Sequence, residues 1–334
     1  ILQGAPDFNF MIKNILITGG AGYIGSHIAE LLIKKKKKIF IIDNLSTGHR
    51  RLINRKAKFL LADIKNIKKV RKFIEKNNID CVIHLAAVLS VGESEKKPKK
   101  YFMNNVTGTS ILLKSLKNTN VKNFIFSSSC SVYKDGYQKV TEKTILRPKS
   151  VYGKTKLLAE KIIMKYCKKN KLNYGILRFF NVVGASSSGK IGQINKYSDQ
   201  LFKNLSIEIV KRNPLFKIYG DNYYTKDGTC VRDYIHVLDI AEIHSKVLDK
   251  IDKKNKSLTL NCGYSRGISV KKVINQFIRN SKRDVKVKIL KKRKGDMSKI
   301  IADTTKLRKS IKWKPKYNNL SKIVKSCINW EKKI

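Results

Sequence analysis

Apolar positions recur along this chain in two alternating patterns. Short runs rich in β-branched and aromatic residues are followed by longer stretches in which apolar residues return every three or four positions. The first run, 12–17, is broken only by Lys13 and Asn14, and behind it Ile24, Ile28, Leu31 and Leu32 share one helical face. Segments 38–43, 59–63, 81–87, 124–129 and 177–181 read as further strands. Segments 70–76, 105–116 and 152–169 read as helices. Apolar strands alternating with helices predict an α/β fold built on a doubly wound parallel sheet. Ligands of such sheets bind at the carboxyl ends of the strands, where Asp43, Asp63, Ala86 and Ser129 fall.

Between the first strand and the first helix lies Thr18-Gly19-Gly20-Ala21-Gly22-Tyr23-Ile24-Gly25. Strand, glycine turn and helix together make a dinucleotide site: Gly19, Gly22 and Gly25 permit a tight turn and close approach of a pyrophosphate to free helix N–H groups. The spacing is G-x-x-G-x-x-G, and a glycine-rich turn without a ligand is the plainer alternative. Asp43, 18 residues after Gly25 at the end of the second strand, weakens that alternative. A carboxylate there accepts the ribose hydroxyls and repels a 2′-phosphate, so NAD is expected over NADP.

Composition narrows the picture. A chain of 334 residues can bury a large core, and it contains no apolar run long enough to cross a membrane. Residues 1–10 lack the features of a signal peptide and read as a non-native or disordered extension before a start at Met11. The six cysteines form no C-x-x-C and sit mostly in apolar runs, the pattern of reduced thiols in a cytoplasmic protein. The five histidines form no metal-binding spacing, and His84 and His236 read as core residues. Lysine and arginine number 73 against 24 acids, a net charge of +49. The cations are spread over every element without an aromatic-interleaved stripe, so they read as a solvated surface and not as a dedicated nucleic-acid site.

Tyr152 and Lys156 stand at i and i+4 on one helix face. A free tyrosine, with a pKa of about 10, is a weak base at neutral pH; a neighbouring ammonium and an oxidised nicotinamide would both favour its phenolate. Ser129 is placed to bond the same substrate oxygen. After 177–181 the alternation becomes irregular, and the Gly/Ser-rich stretch 184–192 is where a second domain is expected. Beyond it, Arg232 and Arg293 are candidates to clamp a diphosphate.

The segments TGGAGYIGSH (18–27), DNLSTG (43–48), VIHLAA (82–87), VGES (91–94), NNVTGT (104–109), FSSS (126–129), YGKTK (152–156), LRFFNVVGA (177–185), DGTCVRDYIHVLDIA (227–241) and RKGD (293–296) together resemble the extended short-chain dehydrogenase/reductase family. Within it they resemble the branch that epimerises UDP-glucose and UDP-galactose at C4. The resemblance implies a Rossmann-type domain over 11–184, with part of 230–265 returning to it, and a smaller α/β domain for a UDP-sugar over 185–334. It implies an isomerase with tightly held NAD, Tyr152 as base, Ser129 and Lys156 assisting, and a homodimer built through helices such as 101–118 and 150–170.

Carried over motif by motif, the cofactor would meet Gly19, Gly22, Tyr23, Ile24, Gly25, Asp43, Asn44, Ser46, Thr47, Gly48, Asp63, Ile64, Leu85, Ala86, Ala87, Asn105, Ser127, Tyr152, Lys156 and Phe180. The UDP-sugar would meet Ser129, Tyr152, Asn181, Gln200, Leu201, Tyr219, Arg232, Arg293 and Asp296. Three positions depart from the family pattern: Leu89 where a lysine is common, Lys134 where a glycine is usual, and Ile300 where some members carry a tyrosine. The last leaves UDP-N-acetylhexosamines open as substrates. A 4,6-dehydratase would need acids after the serine that ends 124–129, where this chain has Cys130 and Ser131. A non-catalytic nucleotide or nucleic-acid binder would leave the Tyr/Ser/Lys set without a purpose.

Overall fold

The structure, a computed structural model, describes residues 12–195, 199–254, 256–292 and 297–334. Its first half follows the alternation closely: β1 (Asn14–Thr18), α1 (Tyr23–Lys34), β2 (Lys38–Asp43), β3 (Lys58–Leu61), α2 (Ile67–Lys76) and β4 (Cys81–His84). Next come α3 (Val91–Lys96), α4 (Pro98–Tyr101), a π-helical stretch (Phe102–Thr107), α5 (Gly108–Ser115), β5 (Asn123–Ser129), β6 (Lys139–Val140) and α6 (Val151–Lys169). The second half contains β7 (Asn173–Phe179), β8 (Asn181–Val183), α7 (Leu201–Ile209), β9 (Leu215–Tyr219), β10 (Val231–His236) and α8 (Val237–Lys254). The chain closes with β11 (Leu258–Cys262), β12 (Gly267–Ser269), α9 (Val270–Ser281), β13 (Lys286–Leu290), β14 (Lys299–Ala302), α10 (Thr305–Ile311) and α11 (Leu320–Glu331).

Seven strands form one parallel sheet in the order β11-β7-β5-β4-β1-β2-β3. The strand order reverses between β1 and β4, and a crevice opens at their carboxyl ends, as in Rossmann-type sheets generally. Both faces are covered, which is why most strand residues are apolar. Ile15, Ile17, Ile39 and Ile41 join α1 and α8 in one core, whereas Leu16, Phe40 and Ile42 join α2, α5 and α6 in the other. The chain leaves the large sheet at Phe179 and switches immediately to a second sheet, in which β8 pairs with β10. After α8 packs beside α1, β11 rejoins the large sheet alongside β7.

Several boundaries differ from the sequence reading, and four of them bear on the site. β3 and β4 end at Leu61 and His84, before Asp63 and Ala87; Ala62 N–H still reaches the Asp43 carbonyl and Leu85 N–H the Thr18 carbonyl, and regular pairing stops there. The expected strand 177–181 is divided by the change of sheet after Phe179. The expected helix 105–116 begins as a π-helical stretch, which turns Asn105 inward: its amide bonds the Val88 backbone and the Thr155 hydroxyl.

Four histidines are buried: His27, His84, His236 and His244. Burial holds His27 and His244 down at about 4 and His84 and His236 at about 3. All four are therefore neutral when folded, while in the unfolded chain they take up protons near pH 6.5. Their contribution is present above that pH and is lost as pH falls toward 4. Asp233, raised to about 6 by burial, and Asp43, Asp239 and Asp252, also raised by burial, work in the opposite sense and offset part of this. The thermal midpoint is expected to fall steadily from pH 6.5 to 5, each histidine costing roughly 1.4 kcal/mol per pH unit. A flat midpoint in calorimetry over that range would contradict neutral buried rings.

Candidate active site

The glycine turn is shaped by contact with the loop after β4. Gly19 has φ of +73°, and a Cβ on it would lie 2.7 Å from Ala86 N. A Cβ on Gly25 would lie 2.5 Å from the Gly19 carbonyl oxygen, so helix and turn meet backbone to backbone. Gly22 caps α1 without a side chain, leaving the positive end of the helix free to meet an anion. Asp43 is buried and accepts from Ala21 N at 3.0 Å and Leu45 N at 2.8 Å. Burial pushes its carboxyl up, and those two N–H groups pull it back. Asn44 Nδ2 donates to Asp63 at 3.1 Å, tying the ends of β2 and β3 together.

From this turn a cleft with a cavity volume of about 1170 Å³ runs across the sheet ends to the second sheet. A dinucleotide fits the cofactor half on two counts. Three glycines, Gly19, Gly22 and Gly25, line it with bare backbone, and Ser127 Oγ, on the cleft wall, is buried without a partner.

The reactive groups sit where α6 begins. Its first N–H groups are all satisfied: Val151 by Glu95 at 2.8 Å, Tyr152 by Ser94 Oγ at 3.1 Å and Gly153 by Ser150 Oγ at 3.0 Å. Gly153 lets the helix ride directly against the Ser131 carbonyl, bringing Tyr152 to the end of β5. Lys156, 2% exposed, donates to the Ser127 carbonyl at 2.8 Å and lies 5.9 Å from the Tyr152 ring centroid. Burial pulls its ammonium down to about 7, and Glu160 opposes that pull. Burial also raises the Tyr152 phenol well above its ordinary value, against the hydrogen bond of Ser129. Ser129 thus favours the phenolate by a direct hydrogen bond, while Lys156 stands near the ring without bonding the hydroxyl. Lys156 is itself desolvated and is turned onto a carbonyl.

The cleft brings together most of the residues singled out from the sequence. Gly19, Gly22, Tyr23, Ile24, Gly25, Asp43, Asn44, Ser46, Thr47, Asp63, Ile64, Leu85, Ala86, Ala87, Ser127 and Phe180 line it, with Ser129, Tyr152 and Lys156 midway. Asn181, Gln200, Leu201, Tyr219, Arg232 and Ile300 line the far half. Two expected cofactor residues stand behind the wall: Gly48 packs on the Asp43 carboxylate, and Asn105 braces Val88 against α6. Arg293 and Asp296 lie outside the described residues. Leu89 is exposed on the cleft rim, and Lys134 is exposed outside it. Ser94 and Glu95, which seat the start of α6, were not singled out from the sequence; the only signal was the place of Ser94 at the end of the VGES segment, with Glu95 just after it.

Residues 15–263 match the sequence profile described as the NAD dependent epimerase/dehydratase family. The chain belongs to that family. A UDP-glucose 4-epimerase of Lactobacillus helveticus is 40% identical over 321 residues, covering 95% of this chain and 97% of that protein. A UDP-glucose-4-epimerase from Stenotrophomonas maltophila, solved with bound NAD and formylated UDP-arabinopyranose, superposes with a TM-score of 0.92 at 32% identity, covering 96% and 98% of the two chains. The UDP-Glc/GlcNAc 4-epimerase of Campylobacter jejuni superposes with a TM-score of 0.84 at 38% identity, covering 96% and 100%. As a family member the chain is an NAD-dependent enzyme, in agreement with the glycine turn and Asp43.

Gly25→Ala tests the backbone contact on which this epimerase/dehydratase cleft rests. The added methyl is expected to lower the thermal midpoint and to remove NAD from the purified protein, measured by release of dinucleotide on denaturation. Retention of wild-type NAD content would show that helix and turn can separate at no cost.

Proposed function

We propose that this protein interconverts UDP-glucose and UDP-galactose by inverting C4 through a transient 4-keto sugar. The observation that carries the reading is the convergence of Ser129, Tyr152 and Lys156 between a dinucleotide cradle and a second, polar half-cleft. Similarity to UDP-glucose 4-epimerases over nearly the whole chain supports the same substrate class. When bound, NAD supplies the hydride acceptor and donor, and its oxidised ring adds a positive charge that favours the Tyr152 phenolate.

The protein's own groups handle the proton and the positioning. Tyr152 takes the proton from the sugar 4-hydroxyl and returns it to the same oxygen, while Ser129 holds that oxygen by a hydrogen bond. Lys156 would hold the nicotinamide ribose and keeps a positive charge near the phenol. Arg232, together with Arg293, pairs with the diphosphate, and Asn181, Gln200, Leu201, Tyr219 and Asp296 complete the nucleotide-sugar half. Ser129, Tyr152 and Lys156 are buried, which strengthens the charge interactions among them. Phe102, Met103 and Leu158 are exposed apolar residues on the adjoining π-helical stretch and α6, and they support a homodimer through this face. Six free thiols fit a reducing, cytoplasmic setting.

A second reading, 4-epimerisation of UDP-N-acetylhexosamines, is favoured by Ile300, an aliphatic residue at the sugar end of the cleft. Incubation with UDP-galactose, and separately with UDP-N-acetylgalactosamine, decides between them by identifying the product sugars. Conversion of the first alone supports the leading reading; conversion of both makes the enzyme dual-specific. Failure with both, while NAD is bound, would overturn the proposal. Tyr152→Phe is expected to lower turnover at least about 100-fold with NAD still bound.

A further inference from the structure

A row of polar side chains crosses three strands behind the reactive groups. Ser128 on β5, Arg178 on β7 and Asn261 on β11 are register neighbours in parallel pairs and so project from one face of the sheet. Above them, on α6, is Glu160, one turn beyond Lys156. Glu160 is fully buried and accepts two bonds from Arg178: Nε at 2.9 Å and Nη2 at 2.7 Å. Ser128 Oγ donates to the same carboxylate at 2.5 Å. Tyr133 completes the arrangement, bonded to Arg178 Nη1 at 3.0 Å and donating to Asn261 at 2.6 Å.

The network touches the reactive groups from two directions. Ser128 stands between Ser127, whose carbonyl takes the Lys156 ammonium, and Ser129, beside the Tyr152 hydroxyl. Along α6, Glu160 is the anion that opposes the desolvation of Lys156. The other groups facing this region are His84 from β4, neutral and bonded to Thr18 and Thr109, and Tyr152 on α6 itself. Tyr133 and Glu142 lie on the Arg178 side, and Glu95 lies at the start of α6. Among these described groups Glu160 is the anion that acts on Lys156.

An ion pair this deep is costly to desolvate, and replacing such a pair with apolar residues is often neutral or stabilising. Its place here has a use beyond holding the fold. Lys156 is nearly sealed from water, so its charge depends on what the protein sets around it. We propose that Glu160, oriented by Arg178 and Ser128, is a positioning residue that keeps the buried Lys156 in its ammonium form. This rests on Lys156 serving the reaction proposed above, but the charge state itself is measurable without turnover.

The test is a pH titration of the Lys156 Cε resonance in protein labelled with ¹³C-lysine, identified by its loss in Lys156→Met. Glu160→Gln leaves the guanidinium without its anion and is expected to move the Lys156 midpoint down by about one pH unit or more. Arg178→Gln leaves the carboxylate alone and is expected to move it up. The double variant Glu160→Gln/Arg178→Gln removes both charges, so its midpoint should fall between wild type and Glu160→Gln; if neither single variant folds, its position below wild type decides. Unmoved midpoints, or shifts of one sign in both single variants, would overturn the proposal. Epimerisation by the wild-type enzyme is assayed in parallel. Shifted midpoints without epimerisation would sink the functional reading alone, and normal epimerisation with unmoved midpoints would sink the charge assignment alone.

Discussion

Two stretches of backbone, the turn after β1 and the loop after β4, pass so close that no side chain fits between them. Gly19 meets Ala86, and Gly25 meets Gly19 in turn. This contact places the start of α1 at the point where the strand order reverses, and the crevice at that point is the cleft. The bond from Leu85 N–H to the Thr18 carbonyl, and the hydroxyl of Thr18 on His84, carry the same constraint into the sheet. With the turn held there, Asp43 falls beside it and Ser129 falls at the level where α6 begins. A wider turn would separate the cofactor half of the cleft from the reactive groups.

The second determinant is the dryness of the reactive centre. Tyr152, Lys156, Glu160 and Arg178 are all buried, and each is stabilised by a named partner and not by solvent. In such surroundings, charge acts over longer distances and misplaced polar groups are expensive. The seating of α6 shows the corresponding care. Its first three N–H groups go to Glu95, Ser94 and Ser150, so the helix cannot shift along its axis without breaking them together.

The parts of the site legible in the sequence were those whose chemistry is local. The glycine turn, the acid at the end of β2 and the Tyr152/Lys156 pair are each set by spacing within one or two elements, and all line one cleft. The alternation of apolar runs and helical faces was equally legible, because strands buried on both faces are mostly apolar. What escaped depends on partners far apart in the chain. Ser94 meets Tyr152 across 58 positions, and Tyr133 meets Asn261 across 128; no periodicity records such meetings. The change of sheet after Phe179 was hidden for a related reason. The residues on either side of it are equally apolar, and only the pairing of β8 with β10 separates them. The direction of Lys156 was also beyond spacing, since an i, i+4 relation puts two side chains on one face without saying which neighbour each will touch.

The surplus of 49 positive charges, described above as a solvated surface, has a kinetic consequence. A nucleotide ligand carries negative charge, so it approaches this protein down a potential gradient from almost any direction. Such long-range attraction raises encounter rates and is damped over a Debye length of about 8 Å at physiological ionic strength. Salt will therefore govern how often a nucleotide arrives, whereas the sealed groups around Tyr152 govern what happens once it has. Arrival and chemistry are thus under separate physical control, one set by the whole surface and the other by a handful of residues that the solvent hardly reaches.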